Sequence, residues 1–127
     1  MPKTVLVVDD SAEIRRGVRS AFERDNRFHV VGEAVDGLDA IEKAGQLKPD
    51  LIVLDFSMPN MNGFEAARTL TRTMPAVLLI LFTMHLGSIV ESEARNAGFS
   101  AVFSKNQDVE LLVRQAQSLL DGVSAQA

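Results

Sequence analysis

The chain has 127 residues, 46% of them hydrophobic and 24% charged, with a formal net charge of -4 and no cysteine. That length fits one domain able to bury a sizeable core. The acidic balance gives no basic field for nucleic acid, the lack of cysteine excludes disulfides and thiolate metal sites, and no apolar run is long enough to cross a bilayer. MPKTVLVV leads into a strand almost at once, without a signal peptide's apolar region and small-residue cleavage site, so a cytoplasmic protein is expected.

Apolar β-rich runs alternate with helical patterns. A first strand is expected over Thr4–Val8, then a helix from Ser11 to Asp25 with Ile14, Val18, Ala21 and Phe22 on one face. A second strand covers His29–Glu33. Asp36 then caps a helix that carries Ala40, Ile41 and Ala44 and ends near Gln46. The third strand is Leu51–Leu54. Asn62 caps a helix bearing Phe64, Ala67, Leu70 and Met74, which Pro75 stops. The fourth strand is Val77–Phe82, and its helix runs over Ser88–Ala97 to a C-terminal cap at Gly98. The fifth strand is Ala101–Phe103. The last helix has the clearest stripe, Val109, Leu112, Val113, Ala116, Leu119 and Leu120, and is expected to end at Asp121-Gly122. One domain over residues 1–122 and a short tail over 123–127 follow from this division.

Five βα units, two of their strands almost wholly apolar, indicate an α/β fold with a parallel sheet covered by helices on both faces. Right-handed crossovers favour a doubly wound sheet of order 2-1-3-4-5, whose switch point lies between strands one and three. Polar residues stand where the strands end: Asp9-Asp10 after TVLVV, Asp55 after LIVL, Thr83 after AVLLILF and Lys105 after AVFS. Ligands bind outside the carboxyl ends of such strands, so three carboxylates, a hydroxyl and an ammonium are expected in one crevice.

Each residue also has a plainer reading. Asp10 or Ser11 could simply cap the first helix, Thr83 could be a β-branched strand residue, and Lys105 could be an exposed lysine. Asp55 resists such a reading, because a carboxylate after four buried residues is costly unless paired or metal-bound. Three clustered carboxylates repel unless a cation neutralises them, and Mg2+ is the natural one for oxygen ligands, waters and phosphate. His29 and His85 are too separated for a metal motif and read as structural or surface residues. Arg15, Arg16 and Arg19 lie off the apolar face of the first helix and read as a solvated face.

Taken together, VLVVDD (5–10), LIVLDFSMPNMNG (51–63), LFT (81–83) and SK (104–105) resemble the receiver domain of two-component response regulators, over essentially the whole chain. The segment with Asp55, Met58-Pro59 and Gly63 in order is the most specific. The resemblance implies a flavodoxin-like fold and a phosphoacceptor role for Asp55, which takes a phosphoryl group from a sensor histidine kinase or phosphotransfer protein. It implies Mg2+ bound directly by Asp10, through water by Asp9, and by Asp55 and the Ser57 carbonyl. Thr83 would sense the phosphoryl group and Lys105 would pair with it. The arginines of the first helix would help dock the kinase. A downstream protein or output domain would be controlled through helix four, strand five and helix five, a surface that also allows a homodimer. No nucleic acid or membrane is expected to bind this domain itself.

Three departures from the family pattern stand out. Asn106 follows Lys105 where receivers usually have proline; it frees the loop but is expected to cap the last helix. Val102 occupies the place of the family's switch aromatic, and strand alternation turns Phe103 to the other face. Met84 stands where smaller residues are common, either as loop packing or as a gate to water. The Thr83-Met84-His85 segment and the proline-free SKN look most like receivers joined to helix-turn-helix output domains. An aspartyl-nucleophile phosphatase on a similar sheet is a further alternative, but such enzymes place an acid two residues after the nucleophile, where this chain has Ser57.

Overall fold

In the computed structural model, residues 2–84 and 86–126 are described, the last four of them by backbone alone; His85 therefore lies outside the described residues. Ten elements alternate: β1 (Lys3–Val8), α1 (Ala12–Glu23), β2 (Phe28–Ala34), α2 (Gly37–Leu47), β3 (Leu51–Asp55), α3 (Gly63–Thr73), β4 (Leu78–Thr83), α4 (Ser88–Ala97), β5 (Ala101–Ser104) and α5 (Val109–Gln126). All strand pairs are parallel and the sheet order is β2-β1-β3-β4-β5, as the alternation implied.

Strand alternation divides the core in two. Val5, Val7, Leu51, Val53, Ile80, Phe82 and Phe103 face one way, against Val18 and Phe22 of α1 and Leu112 and Ala116 of α5. Leu6, Val8, Ile52, Leu54, Leu79 and Leu81 face the other way, against Ala40 and Ala44 of α2, Ala67 and Leu70 of α3, and Ala94 of α4. Val102 packs on this second side and Phe103 on the first, as expected from a residue repeat of two.

The helix starts follow the capping residues. Ser11 accepts from the Ile14 N–H at 3.3 Å, so Ser11 rather than Asp10 caps α1. Asp36 accepts from Asp39 at 2.8 Å. Asn62 and Glu65 form a reciprocal capping box. Gly98 ends α4 at φ 110, where a Cβ would lie 2.0 Å from the Thr71 hydroxyl oxygen.

Two expectations at α5 need correction. Asn106 does not cap this helix, which starts at Val109. Asp108 accepts from the Glu110 N–H at 3.0 Å, while the Asn106 N–H turns back to the Ser104 hydroxyl at 3.1 Å. Nor does Asp121-Gly122 end it: the helix continues to Gln126. Glycine in a helix costs only about 1 kcal/mol, and Gly122 does not take the positive φ that a glycine stop uses.

Candidate functional site

Each candidate side chain sits at the carboxyl end of a strand because the sheet is parallel and the polar residue follows its apolar run. Asp9 leaves β1, Asp55 ends β3, Thr83 ends β4, and Lys105 follows β5. Registration then brings the ends together: Leu54 pairs with Val8, Asp55 with Phe82, and Thr83 with Ser104. The Lys105 N–H donates to the Thr83 carbonyl at 2.9 Å, so the loop after β5 is tied to the end of β4. Thr83 itself is buried.

The ammonium of Lys105 lies 2.7 Å from Asp9 Oδ2 and 2.9 Å from Asp55 Oδ1, and its side chain is only 9% exposed. The plain exposed-lysine reading is therefore wrong. The ring of Phe82 lies beneath it, with its centroid 5.8 Å from Nζ. Asp9 is buried, with Oδ1 accepting from the Ser11 N–H at 2.9 Å. Asp10 is exposed. Burial pushes the Asp55 carboxyl above its ordinary range; Lys105 opposes this, and the charges of Asp9 and Asp10 add to it. Burial also works against the charge on Lys105, but the contacts with Asp9 and Asp55 outweigh it and hold the ammonium above the ordinary lysine value.

Oxygens of Asp9, Asp10 and Asp55 all come within 4.8 Å of one another. Asp9 Oδ2 is fully buried and out of line for a hydrogen bond, even though the lysine is near. One ammonium among three carboxylates leaves negative charge uncompensated. An all-oxygen donor set of this kind, open to solvent at Asp10, fits a hard divalent cation that keeps several waters, and Mg2+ is the cofactor it fits.

The β3–α3 loop is built around a close approach. The Gly63 N–H donates to the Phe56 carbonyl at 2.9 Å, and a Cβ on Gly63 would lie 2.3 Å from the carbonyl oxygen of Asp55. Glycine is thus needed for α3 to start against the backbone of the acid. Ser57 is exposed in this loop. The Asn60 side chain, with its backbone at φ 69, donates to Asp36 at 2.8 Å and fastens the loop to the start of α2. His29 is exposed on β2, away from any metal cluster among the described residues. Of the arginines on α1, Arg16 is exposed, but Arg15 is not part of a solvated face: its side chain is only 15% exposed and bonds Glu33 and the Asp9 carbonyl.

A doubly wound sheet with a lysine bridging buried acids at its switch point defines a phosphoryl-accepting α/β module. Residues 5–117 match the response regulator receiver domain, and the chain belongs to that family. Among curated proteins it is similar to a protein-glutamate methylesterase/protein-glutamine glutaminase of Thermotoga maritima, 38% identical over 122 residues, covering 94% of this chain and 36% of that protein. The chain thus spans about a third of the length of such relatives. Among solved structures it is similar to a LuxR-family two-component response regulator from Aurantimonas sp. SI85-9A1, at 33% identity and a TM-score of 0.91, covering 96% of this chain and 87% of that one. It is also similar to the response regulator domain of Thermotoga maritima CheB, at 36% identity and a TM-score of 0.81, covering 98% and 96%. The phosphatase reading gives way to the receiver family. No helix among the described residues is long and apolar enough to cross a membrane.

Proposed function

We propose that Asp55 accepts a phosphoryl group from a phosphohistidine, and that its state controls a protein-interaction surface. The observation that carries this reading is the buried Lys105 ammonium, shared between Asp9 at 2.7 Å and Asp55 at 2.9 Å, with Asp10 completing the acid trio. Asp55 Oδ1 is held by the lysine, and Oδ2 attacks phosphorus. The new O–P bond forms as the P–N bond breaks, and the electron pair leaves with the imidazole, which keeps a proton. The product is an acyl phosphate.

Asp10, Asp9, Asp55 and the Ser57 carbonyl would hold Mg2+. Asp10 is the direct ligand, since Asp9 is already engaged by Lys105 and the Ser11 N–H. When bound, Mg2+ supplies positive charge against the oxygens of the transferring group. Lys105 moves with the phosphoryl group as its counter-charge, and the Thr83 hydroxyl donates to it. Both residues pull on the ends of β4 and β5, so α4, β5 and α5 form the surface that reads the switch. The donor is a sensor histidine kinase or a phosphotransfer protein, and the reader is an output domain or separate protein. A second copy of the chain on α4–β5–α5 is the dimeric form of the same reading.

The test is incubation with Mg2+ and acetyl phosphate, followed by intact mass. One phosphoryl adduct should form on the wild type and none on Asp55→Asn. Equal modification of the variant would overturn the assignment.

A further inference from the structure

The acid loop is held from a direction that the motifs do not show. The Asp9 peptide leaves β1 with its N–H donating to the Ala34 carbonyl of β2 at 3.1 Å. Its carbonyl accepts from Arg15 Nη1 at 2.7 Å, so a residue inside α1 reaches back to the loop that precedes the helix. Arg15 Nε is fixed by Glu33 Oε1 at 3.0 Å. The other oxygen of Glu33 takes Arg19 Nη1 at 2.8 Å. The last two residues of β2 therefore hold the backbone of Asp9 on both sides, Ala34 through the Val8–Asp9 peptide and Glu33, by way of Arg15, through the Asp9–Asp10 peptide.

A peptide unit is planar, so its carbonyl and the next Cα move together. Holding the Asp9 carbonyl therefore fixes where the Asp10 Cα stands. Asp10 is the exposed acid of the trio, so its placement depends on its backbone. Charge gives a second reason. A bare guanidinium at this distance would compete with a divalent cation for the acids. Glu33 neutralises it, while Glu23 balances Arg19 on the other oxygen of Glu33, so the clamp orients the loop without repelling the metal. An ordinary structural ion pair would need only the contact between Arg15 and Glu33; it would not need the third contact, to the carbonyl that joins the two metal acids.

The geometry points to Arg15, held by Glu33, as a positioning residue for Mg2+: it presets the Asp9–Asp10 peptide and hence the Asp10 carboxylate. This rests on the reading that the acid trio takes Mg2+.

The test is Mg2+ binding by calorimetry, beside thermal unfolding in EDTA. Partners beyond the metal ligands typically contribute 10–100-fold in affinity, and Arg15→Ala should weaken Mg2+ by about tenfold, the low end of that range. Arg15→Lys keeps a charged donor and should recover part of the loss. Glu33→Gln leaves the guanidinium uncompensated and should weaken Mg2+ in a way that added salt relieves. Arg27→Ala is the control. It removes an exposed ion pair with Asp25 beside the amino-terminal end of β2, at the far end of the strands from the acids, so it should leave Mg2+ affinity unchanged. Wild-type affinity in Arg15→Ala, or an equal loss in Arg27→Ala, would overturn the positioning role while leaving the metal site standing. No Mg2+ binding by the wild type would instead remove the metal site, and the positioning role with it.

Discussion

Replacing Asp55 by asparagine should make the metal-free domain more stable, although it removes an ion pair. Asp55 has two like-charged neighbours whose oxygens come within 4.8 Å, and one opposite charge at 2.9 Å. At an effective dielectric of about 20, each repulsion is worth ~3.5 kcal/mol and the attraction ~6 kcal/mol. Asp10 is exposed, so its repulsion is screened below that figure and Lys105 outweighs the two acids; burial of the charge, the largest influence, turns the balance against the ionised form. Asparagine keeps the shape without the charge, and Lys105 keeps Asp9. A gain of about 1–2 kcal/mol corresponds to a rise in Tm of about 3–8 °C for a domain of this size. Thermal unfolding in EDTA at neutral pH measures it. The pH dependence has a defined sign. The folded-state pKa of Asp55 is raised above 3.8, so its ionised form weighs against the fold above that raised pKa, and the penalty disappears as pH falls toward the unfolded value. The advantage of Asp55→Asn should therefore shrink on acidification through that window. Mg2+ should favour the wild type, since a ligand at a hundredfold excess over its Kd stabilises by about 2.7 kcal/mol. A variant less stable than wild type in EDTA would refute this reasoning, because the lysine pair would then outweigh repulsion and burial together.

Three further outcomes are expected. Gly98→Ala should lower the Tm by several degrees: φ 110 costs an L-residue about 1–2 kcal/mol, and the new Cβ must displace Thr71, which bonds the Ala97 carbonyl at 3.4 Å. Met84, 52% exposed just after Thr83, should shield the phosphoryl site from water; Met84→Ala should hydrolyse about tenfold faster, a barrier change of ~1.4 kcal/mol, and an unchanged or slower rate in a phosphate-release assay would return Met84 to loop packing. Val102→Tyr should change hydrogen exchange across α4 with and without beryllofluoride while leaving hydrolysis nearly unchanged, and a large change in hydrolysis alone would contradict that division of roles.

The ten elements and the strand-end residues were legible because both signals are local. An apolar run, a cap and a terminal acid lie within a few residues of one another, and parallel pairing does the rest. What was not legible depends on distant pairing. Arg15 lies off the apolar stripe of α1, and only the placement of β2 brings Glu33 to it, 18 positions along the chain. That placement includes a shift in register opposite Val5 and Leu6, which no periodicity announces. The link from Asn60 to Asp36 is hidden for the same reason. At α5 the errors had a different cause: Asn106 and Asp108 are both good caps, and the turn that Ser104 makes with Asn106 decides between them.

With Val102 where the receiver resemblance places a switch aromatic, the state of Asp55 is expected to reach α4 by another route. The backbones of Thr83 and Lys105 are coupled, because the Lys105 N–H holds the Thr83 carbonyl. A pull on either one moves the ends of both β4 and β5. Beside Thr83, Phe56, Phe64, Val90 and Glu93 line a cavity of about 150 Å³ under α4. Tight packing makes a core switch between discrete arrangements, whereas space of this kind leaves α4 room to shift. Val102, packed on this same side of the sheet, supplies no ring to fill one state and vacate the other. We expect the two states of α4 to differ by less packing energy than an aromatic would impose, so that the unphosphorylated domain should visit the active form more often. On that expectation phosphorylation would act on an equilibrium nearer balance, through the tied strand ends rather than through a rotating ring.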